Sequence, residues 1–175
     1  MFADGAMGRA LQLDGSYGVE LPNGLIKDDT YSIMMWLNPT ELTQFTSAFF
    51  AYASTDSWIS VVPFGNDAVS GNTMIWSGTS WYDAGTGQQI PENAWSHLAF
   101  VNNGGTLTIY LNGEEVYSGT SFPDVFTPAS VTGFAIGVNY WDIPFNGMVD
   151  ELMIFNDAIT ANDVAKFYQQ QSGNE

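Results

Sequence analysis

Residues 107–112 alternate without a break: Leu107, Ile109 and Leu111 fall on one side, Thr108, Tyr110 and Asn112 on the other. A period of two sends successive side chains to opposite faces, so this stretch is a strand with one apolar face. Asn112-Gly113 follows at once, then Val116 and Tyr117. Asn and Gly both tolerate the positive φ that a two-residue hairpin turn demands, so the chain is predicted to double back here as an antiparallel pair.

Comparable patterns predict strands over residues 9–13, 18–21, 31–38, 48–53, 57–62, 73–77, 95–102, 133–137 and 148–155. Some are apolar on both sides: Trp95, Ala99 and Val101 oppose Leu98 and Phe100. Such strands belong in the middle of a sheet whose second face is also covered or functional. One helix is expected near the end, capped by Thr160 with Asp163 at its third position and with Val164, Phe167 and Tyr168 on one face. The fold class is therefore all-β, a two-sheet antiparallel sandwich with one short C-terminal helix. No repeat or linker interrupts residues 1–175, so they form one domain, with residues 1–8 and 169–175 expected to fray.

Composition narrows the partners. With 45% hydrophobic residues, 12 Phe, 8 Tyr and 6 Trp, the chain has ample material for a core. Its 19 acidic residues face three basic ones, Arg9, Lys27 and Lys166, for a net charge of −16. Binding to phosphate backbones requires clustered Lys and Arg, so nucleic acid and anionic membrane surfaces are excluded as partners and an uncharged one fits. There is no Cys and a single His, which removes thiolate chemistry and any His-based metal cluster. No apolar run is long enough for a membrane span, and the first residues lack the pattern of a signal peptide, so a domain of a longer secreted protein is expected.

Four stretches in order carry a resemblance. They are Ala10-Leu11-Gln12-Leu13-Asp14-Gly15 with Val19-Glu20-Leu21-Pro22; Tyr31-Ser32-Ile33-Met34-Met35-Trp36-Leu37-Asn38-Pro39; and Ala94-Trp95-Ser96-His97-Leu98-Ala99-Phe100-Val101 leading into the 107–113 hairpin. The fourth is Phe134-Ala135-Ile136-Gly137, then Phe145-Asn146-Gly147-Met148-Val149-Asp150-Glu151-Leu152. Together they resemble a laminin-G-like, concanavalin-A-like jelly roll of the kind appended to bacterial glycoside hydrolases. The resemblance implies two stacked sheets, one concave, and in many members a carbohydrate-binding role; others are adhesion domains. It also implies a structural calcium ion where the first and last strands run together, with Asp14, Gly15 and Asp150 at the matching positions. Asp150 is read as sharing a face with Met148, Leu152 and Ile154, where a bare carboxylate is costly and a metal would relieve it. The plainer alternative is that Asp150 accepts backbone hydrogen bonds.

Sugars present apolar faces ringed by hydroxyls, so they stack on aromatic rings beside small polar groups. Trp36 and Trp95 lie in strand motifs and are read as core. Trp58, Trp76, Trp81 and Trp141 lie among Ser, Thr, Asp, Asn and Gly. The ligand site is expected to draw on Trp58, Trp81, Tyr82, Asn139, Tyr140, Trp141 and Asp142. His97 is read as a satisfied strand residue. Glycoside hydrolysis needs two carboxyl groups flanking the bond. The jelly-roll enzymes that this fold resembles place theirs on one strand as Glu-x-Asp-x-x-Glu, a pattern missing here, and no Gly-x-Ser-x-Gly accompanies His97. The expected function is thus a monomeric, extracellular, non-catalytic module, linked to a hydrolase and binding a neutral plant cell-wall polysaccharide such as galactan or arabinan. A protein-adhesion domain and a structural scaffold are the rivals.

Overall fold

The alternating segments fold as strands that stack in two layers. The computed structural model describes residues 1–127 and 132–173. In chain order the first strands are β1 (Phe2–Asp4), β2 (Arg9–Asp14), β3 (Val19–Leu21), β4 (Thr30–Pro39), β5 (Phe49–Ser54) and β6 (Ser57–Val62). Next come β7 (Met74–Ser77), β8 (Tyr82–Gly85), β9 (Ser96–Asn103), β10 (Thr106–Leu111) and β11 (Glu114–Gly119). The chain closes with β12 (Gly133–Ile136), β13 (Asn146–Phe155) and α1 (Ala161–Gln171). One antiparallel sheet runs β1-β2-β13-β4-β9-β10-β11, and the other runs β3-β12-β5-β6-β7-β8. This is the expected jelly-roll sandwich.

The inner faces supply the core in strict alternation. Ile33, Met35 and Leu37 of β4 and Leu98 and Phe100 of β9 meet Phe49 and Ala51 of β5 and Ile59 and Val61 of β6, all fully buried. The β10–β11 hairpin turns at Asn112 (φ 50) and Gly113 (φ 81), the left-handed pair that its sequence predicts.

The outer face of the seven-stranded sheet is covered by α1. Thr160 accepts from the Asp163 N–H while the Asp163 carboxylate accepts from the Thr160 N–H, closing the expected capping box. Val164 packs on Met34, Ala99, Val101 and Tyr110, which explains why β4 and β9 are apolar on both sides. Trp36 is core to this second layer: Tyr168 stacks on it at 5.7 Å, and its indole N–H donates to Gln171 Oε1 at 2.9 Å. His97 is fully buried beside it, 5.2 Å from the Trp36 ring. Its backbone N–H donates to Asn112 Oδ1, yet neither ring nitrogen has a partner, so it is not the satisfied residue expected. Burial pushes its imidazole down to about 4 from 6.5.

Three expectations about the ends and edges need correction. Residues 1–8 do not simply fray, because Phe2, Ala3 and Asp4 pair with Leu11, Ala10 and Arg9. The helix continues through Gln171, past the expected fraying point at 169; residues 174–175 of that tail lie outside the described residues. Trp95, expected in the core on a strand, precedes β9 and is half-buried.

Candidate functional site

Among the described residues no α-helix covers the outer face of the six-stranded sheet, and its alternation is aromatic. Phe50 and Tyr52 on β5, Trp58 and Ser60 on β6, and Trp76 on β7 all point away from the core. Register sets them side by side: Tyr52 opposite Trp58, and Phe50 opposite Ser60 opposite Trp76. Above them lies a cleft of about 640 Å³, within the size range of small-ligand sites.

Trp58 is the floor. It is 5% exposed, and its indole lies so close to Gly78 that a Cβ there would fall 2.2 Å from Cε2. Only Gly permits that approach. Trp76 stands perpendicular to it at 5.2 Å, and Phe45 leans on Trp76 at 6.0 Å. The walls are Trp81 and Trp141, 67% and 55% exposed, with ring centroids 6.4 and 5.6 Å from Trp58.

Each wall is held by a distinct local device. Trp81 ends the one-turn 3-10 segment Thr79–Trp81 between β7 and β8, where Ser80 (φ 60) and Trp81 (φ 49) are both left-handed. Phe45 (φ 69) shares that conformation. For bulky residues such φ values cost of order 1–3 kcal/mol each, and they concentrate at binding sites where the strain aims a side chain. Trp141 is held by Asn139, whose Oδ1 accepts from the backbone N–H of Trp141 and of Asp142, each at 2.8 Å. The Asn139 amide in turn donates to Asp142 Oδ2 at 2.8 Å and to Ser47 Oγ at 2.9 Å. Ser47 and Ser60 share a 2.6 Å hydrogen bond, so the loop is tied through to the floor.

Polar groups are sparse and acidic or neutral. Thr55, Asp56, Ser60, Asn139 and Asp142 line the cleft; no Lys or Arg does so among the described residues. Apolar rings beside carboxylates, hydroxyls and an amide can stack a neutral ligand and accept its hydroxyl protons.

The expected site residues divide accordingly. Trp58, Trp81, Asn139, Trp141 and Asp142 converge on the cleft. Tyr140 stands just outside it, 5.3 Å from Trp141 and 5.0 Å from Tyr52. Tyr82 belongs elsewhere: on β8 it shares the inward parity of Ala84, packs at right angles on Phe122, and bonds Tyr117 Oη at 2.9 Å and the Thr120 carbonyl at 3.0 Å. That burial and bonding raise its phenol well above the usual range. Phe45, Thr55, Asp56, Ser60, Trp76 and Gly78 complete the lining and were not among the expected site residues. Period-two parity from Trp58 marks Ser60; Phe45 sits on a loop and carries no such signal.

Asp14, Gly15 and Asp150 do not fit a shared calcium ion. Asp14 pairs across the ladder with Asn146, four residues from Asp150, which sets the two carboxylates roughly 13 Å apart along the strands. The exposed Asp14 carboxylate accepts from Ser16 N at 3.0 Å and from Ser16 Oγ; these bonds pull its pKa below the usual carboxylate value. Gly15 serves as a left-handed turn residue (φ 80). Asp150, 7% exposed, accepts the backbone N–H of Met7 and of Glu151, each at 2.9 Å. A Cβ at Gly5 would fall 2.2 Å from its Oδ2, so the turn before β2 closes tightly over this carboxylate and needs Gly there. Its expected face is also corrected. Glu151 (φ 48) forms a bulge, so Leu152 and Ile154 pack into the core while Asp150 faces the opposite side. Among the described residues no group of three or more His, Asp or Glu can hold a metal.

A family model of the laminin-G type, described as the concanavalin A-like lectin/glucanases superfamily, matches residues 13–165. Among curated proteins there is no match. Domain 4 of AbnA, a GH43 extracellular arabinanase from Geobacillus stearothermophilus solved with arabinotriose, superposes with a TM-score of 0.92. It is 46% identical, over 96% of this chain and 80% of that one. The CBM40 of Ruminococcus gnavus IT-sialidase aligns at TM-score 0.71 and 12% identity over 91% of this chain and 96% of its own. A heptameric SAP-like pentraxin from Limulus polyphemus aligns at 0.64 and 13% over 90% and 80%. At such identities these two show a common fold alone.

Proposed function

The chain belongs to the concanavalin A-like lectin/glucanases superfamily, and on that footing we propose that it is a non-catalytic carbohydrate-binding module whose cleft takes a neutral, arabinan-type oligosaccharide. The observation that carries this is the open cleft with Trp58 as floor and Trp81 and Trp141 as walls. Two exposed indoles standing on a buried one form an open, flat-sided slot suited to the apolar faces of sugar rings. Arabinan is favoured over galactan because the neighbour that is 46% identical was solved with arabinotriose. Lack of catalysis is supported by the lining. Of its two carboxylates, Asp56 and Asp142, the second is tied to the Asn139 amide at 2.8 Å and serves to hold the loop. Secretion, attachment to a hydrolase and a monomeric state belong to the same proposal; among the described residues no helix is long and apolar enough to cross a membrane.

Affinity electrophoresis in gels containing arabinan, galactan or polygalacturonate tests this. The protein is expected to be retarded by arabinan, and Trp81→Ala and Trp141→Ala to restore free mobility, with no release of reducing ends on incubation. Unaltered migration in every glycan, or equal retardation of both variants, contradicts it.

A further inference from the structure

The aromatic surface does not stop at the cleft wall. Trp141 is 5.3 Å from Tyr140, and Tyr140 is 5.0 Å from Tyr52. Beneath this extension lies a second buried support, Phe50, which meets Trp141 at 6.2 Å and Tyr140 at 5.7 Å, both nearly edge-on. The arrangement has two storeys: Trp58 carries Trp81 and Trp141, and Phe50 carries Trp141 and Tyr140. The three upper rings are each about half exposed or more, and the lower two are buried. Tyr52 in turn lies over Gly133 of β12, where a Cβ would fall 2.3 Å from its ring. The track therefore crosses the sheet from the β7–β8 turn over β6 and β5 to β12, three strand spacings of about 4.8 Å each.

Resting on the carbohydrate-binding reading above, we infer that the binding surface extends past the cleft along Trp141, Tyr140 and Tyr52, and that it takes the internal run of an extended neutral glycan laid across the strands. A buried ring is not spent under an exposed one without effect: the support at Phe50 fixes Tyr140 at right angles to it, so its face is pre-set and little side-chain freedom is lost on stacking. Tyr140 differs from the cleft walls because it stands outside the cleft lining, beyond Trp141. Its contribution scales with ligand length, which makes it a length-determining residue.

Calorimetric titration of the whole chain with linear arabino-oligosaccharides, from the trisaccharide upward at one-to-one stoichiometry, separates the possibilities. Wild type is expected to gain about tenfold in affinity as the ligand outgrows the cleft. Tyr140→Ala is expected to lose most of that gain, and Tyr140→Phe to keep it, since a ring face is what stacks. A melting curve for each variant confirms that the fold persists. Affinity that saturates at the trisaccharide in wild type, or a full length gain in Tyr140→Ala, overturns the extended track while leaving the cleft reading standing. Failure of every oligosaccharide to bind overturns both.

Discussion

The two outer faces of this sandwich are built from similar material and put to opposite ends. On the seven-stranded sheet an outward Trp, Trp36, lies beneath α1, stacked by Tyr168 and hydrogen-bonded by Gln171, and is 5% exposed. On the six-stranded sheet an outward Trp, Trp58, is equally buried, yet what lies over it is two further indoles that remain half open to solvent. One face spends its aromatic rings on docking its own helix. Among the described residues the other has no α-helix over it, and its upper rings stay open to solvent. An aromatic residue at an outward strand position thus has no fixed role; what its own chain places above it decides.

The contrast is sharpest if it can be broken from each side. Trp36→Ala is expected to remove about 3–5 kcal/mol of stability by opening the space under α1, with sugar affinity unaltered in whatever protein remains folded. Denaturant unfolding paired with titration measures both. The same face carries a pH dependence. Because His97 titrates near 4 folded but near 6.5 unfolded, the unfolded chain holds the extra proton between those values. Stability is therefore full above 6.5 and falls as pH drops toward 4, by about 3 kcal/mol at most. In His97→Leu this share of the slope should vanish, read as the difference between the two proteins' unfolding midpoints across that window.

On the open face the balance reverses. Trp81→Ala should leave stability within about 0.5 kcal/mol, since the ring is mostly in solvent, while costing about 2 kcal/mol of binding, roughly thirtyfold. Asn139→Ala should cost about 1–2 kcal/mol of stability by leaving the Trp141 and Asp142 N–H groups without their acceptor, and weaken binding by loosening the wall. Smallest of all, Asp56→Asn should alter arabinotriose affinity by no more than about 0.5 kcal/mol, while relaxing discrimination against a uronate-bearing ligand at low salt. Side-by-side titrations with neutral and acidic trisaccharides read both numbers.

Much of this contrast was legible in the residues. Period two placed most strands, Asn112-Gly113 placed the hairpin, and Thr160 with Asp163 placed the start of the helix that separates the two faces. Tryptophans set among small polar residues marked the cleft, because loops that present a ring to solvent are built from residues that turn easily. Two of the failures share one cause. Parity along a strand inverts at an irregularity that pattern alone does not reveal: the Glu151 bulge turned Asp150 away from Leu152, and the kinked turn at Ser80 and Trp81 sent Tyr82 inward, where the two residues before and after it in sequence gave no hint. His97 failed differently. Its alternation with Ala99 was right, but whether a buried ring nitrogen finds a partner depends on a helix some seventy residues downstream.

The account stands most directly on the six indole N–H resonances followed by two-dimensional NMR as arabinotriose is added. Signals of Trp58, Trp76, Trp81 and Trp141 should move together with one affinity while that of Trp36 holds still beneath its helix. Movement of Trp36 or Trp95 with the four cleft signals unmoved would place the ligand on another surface and contradict it.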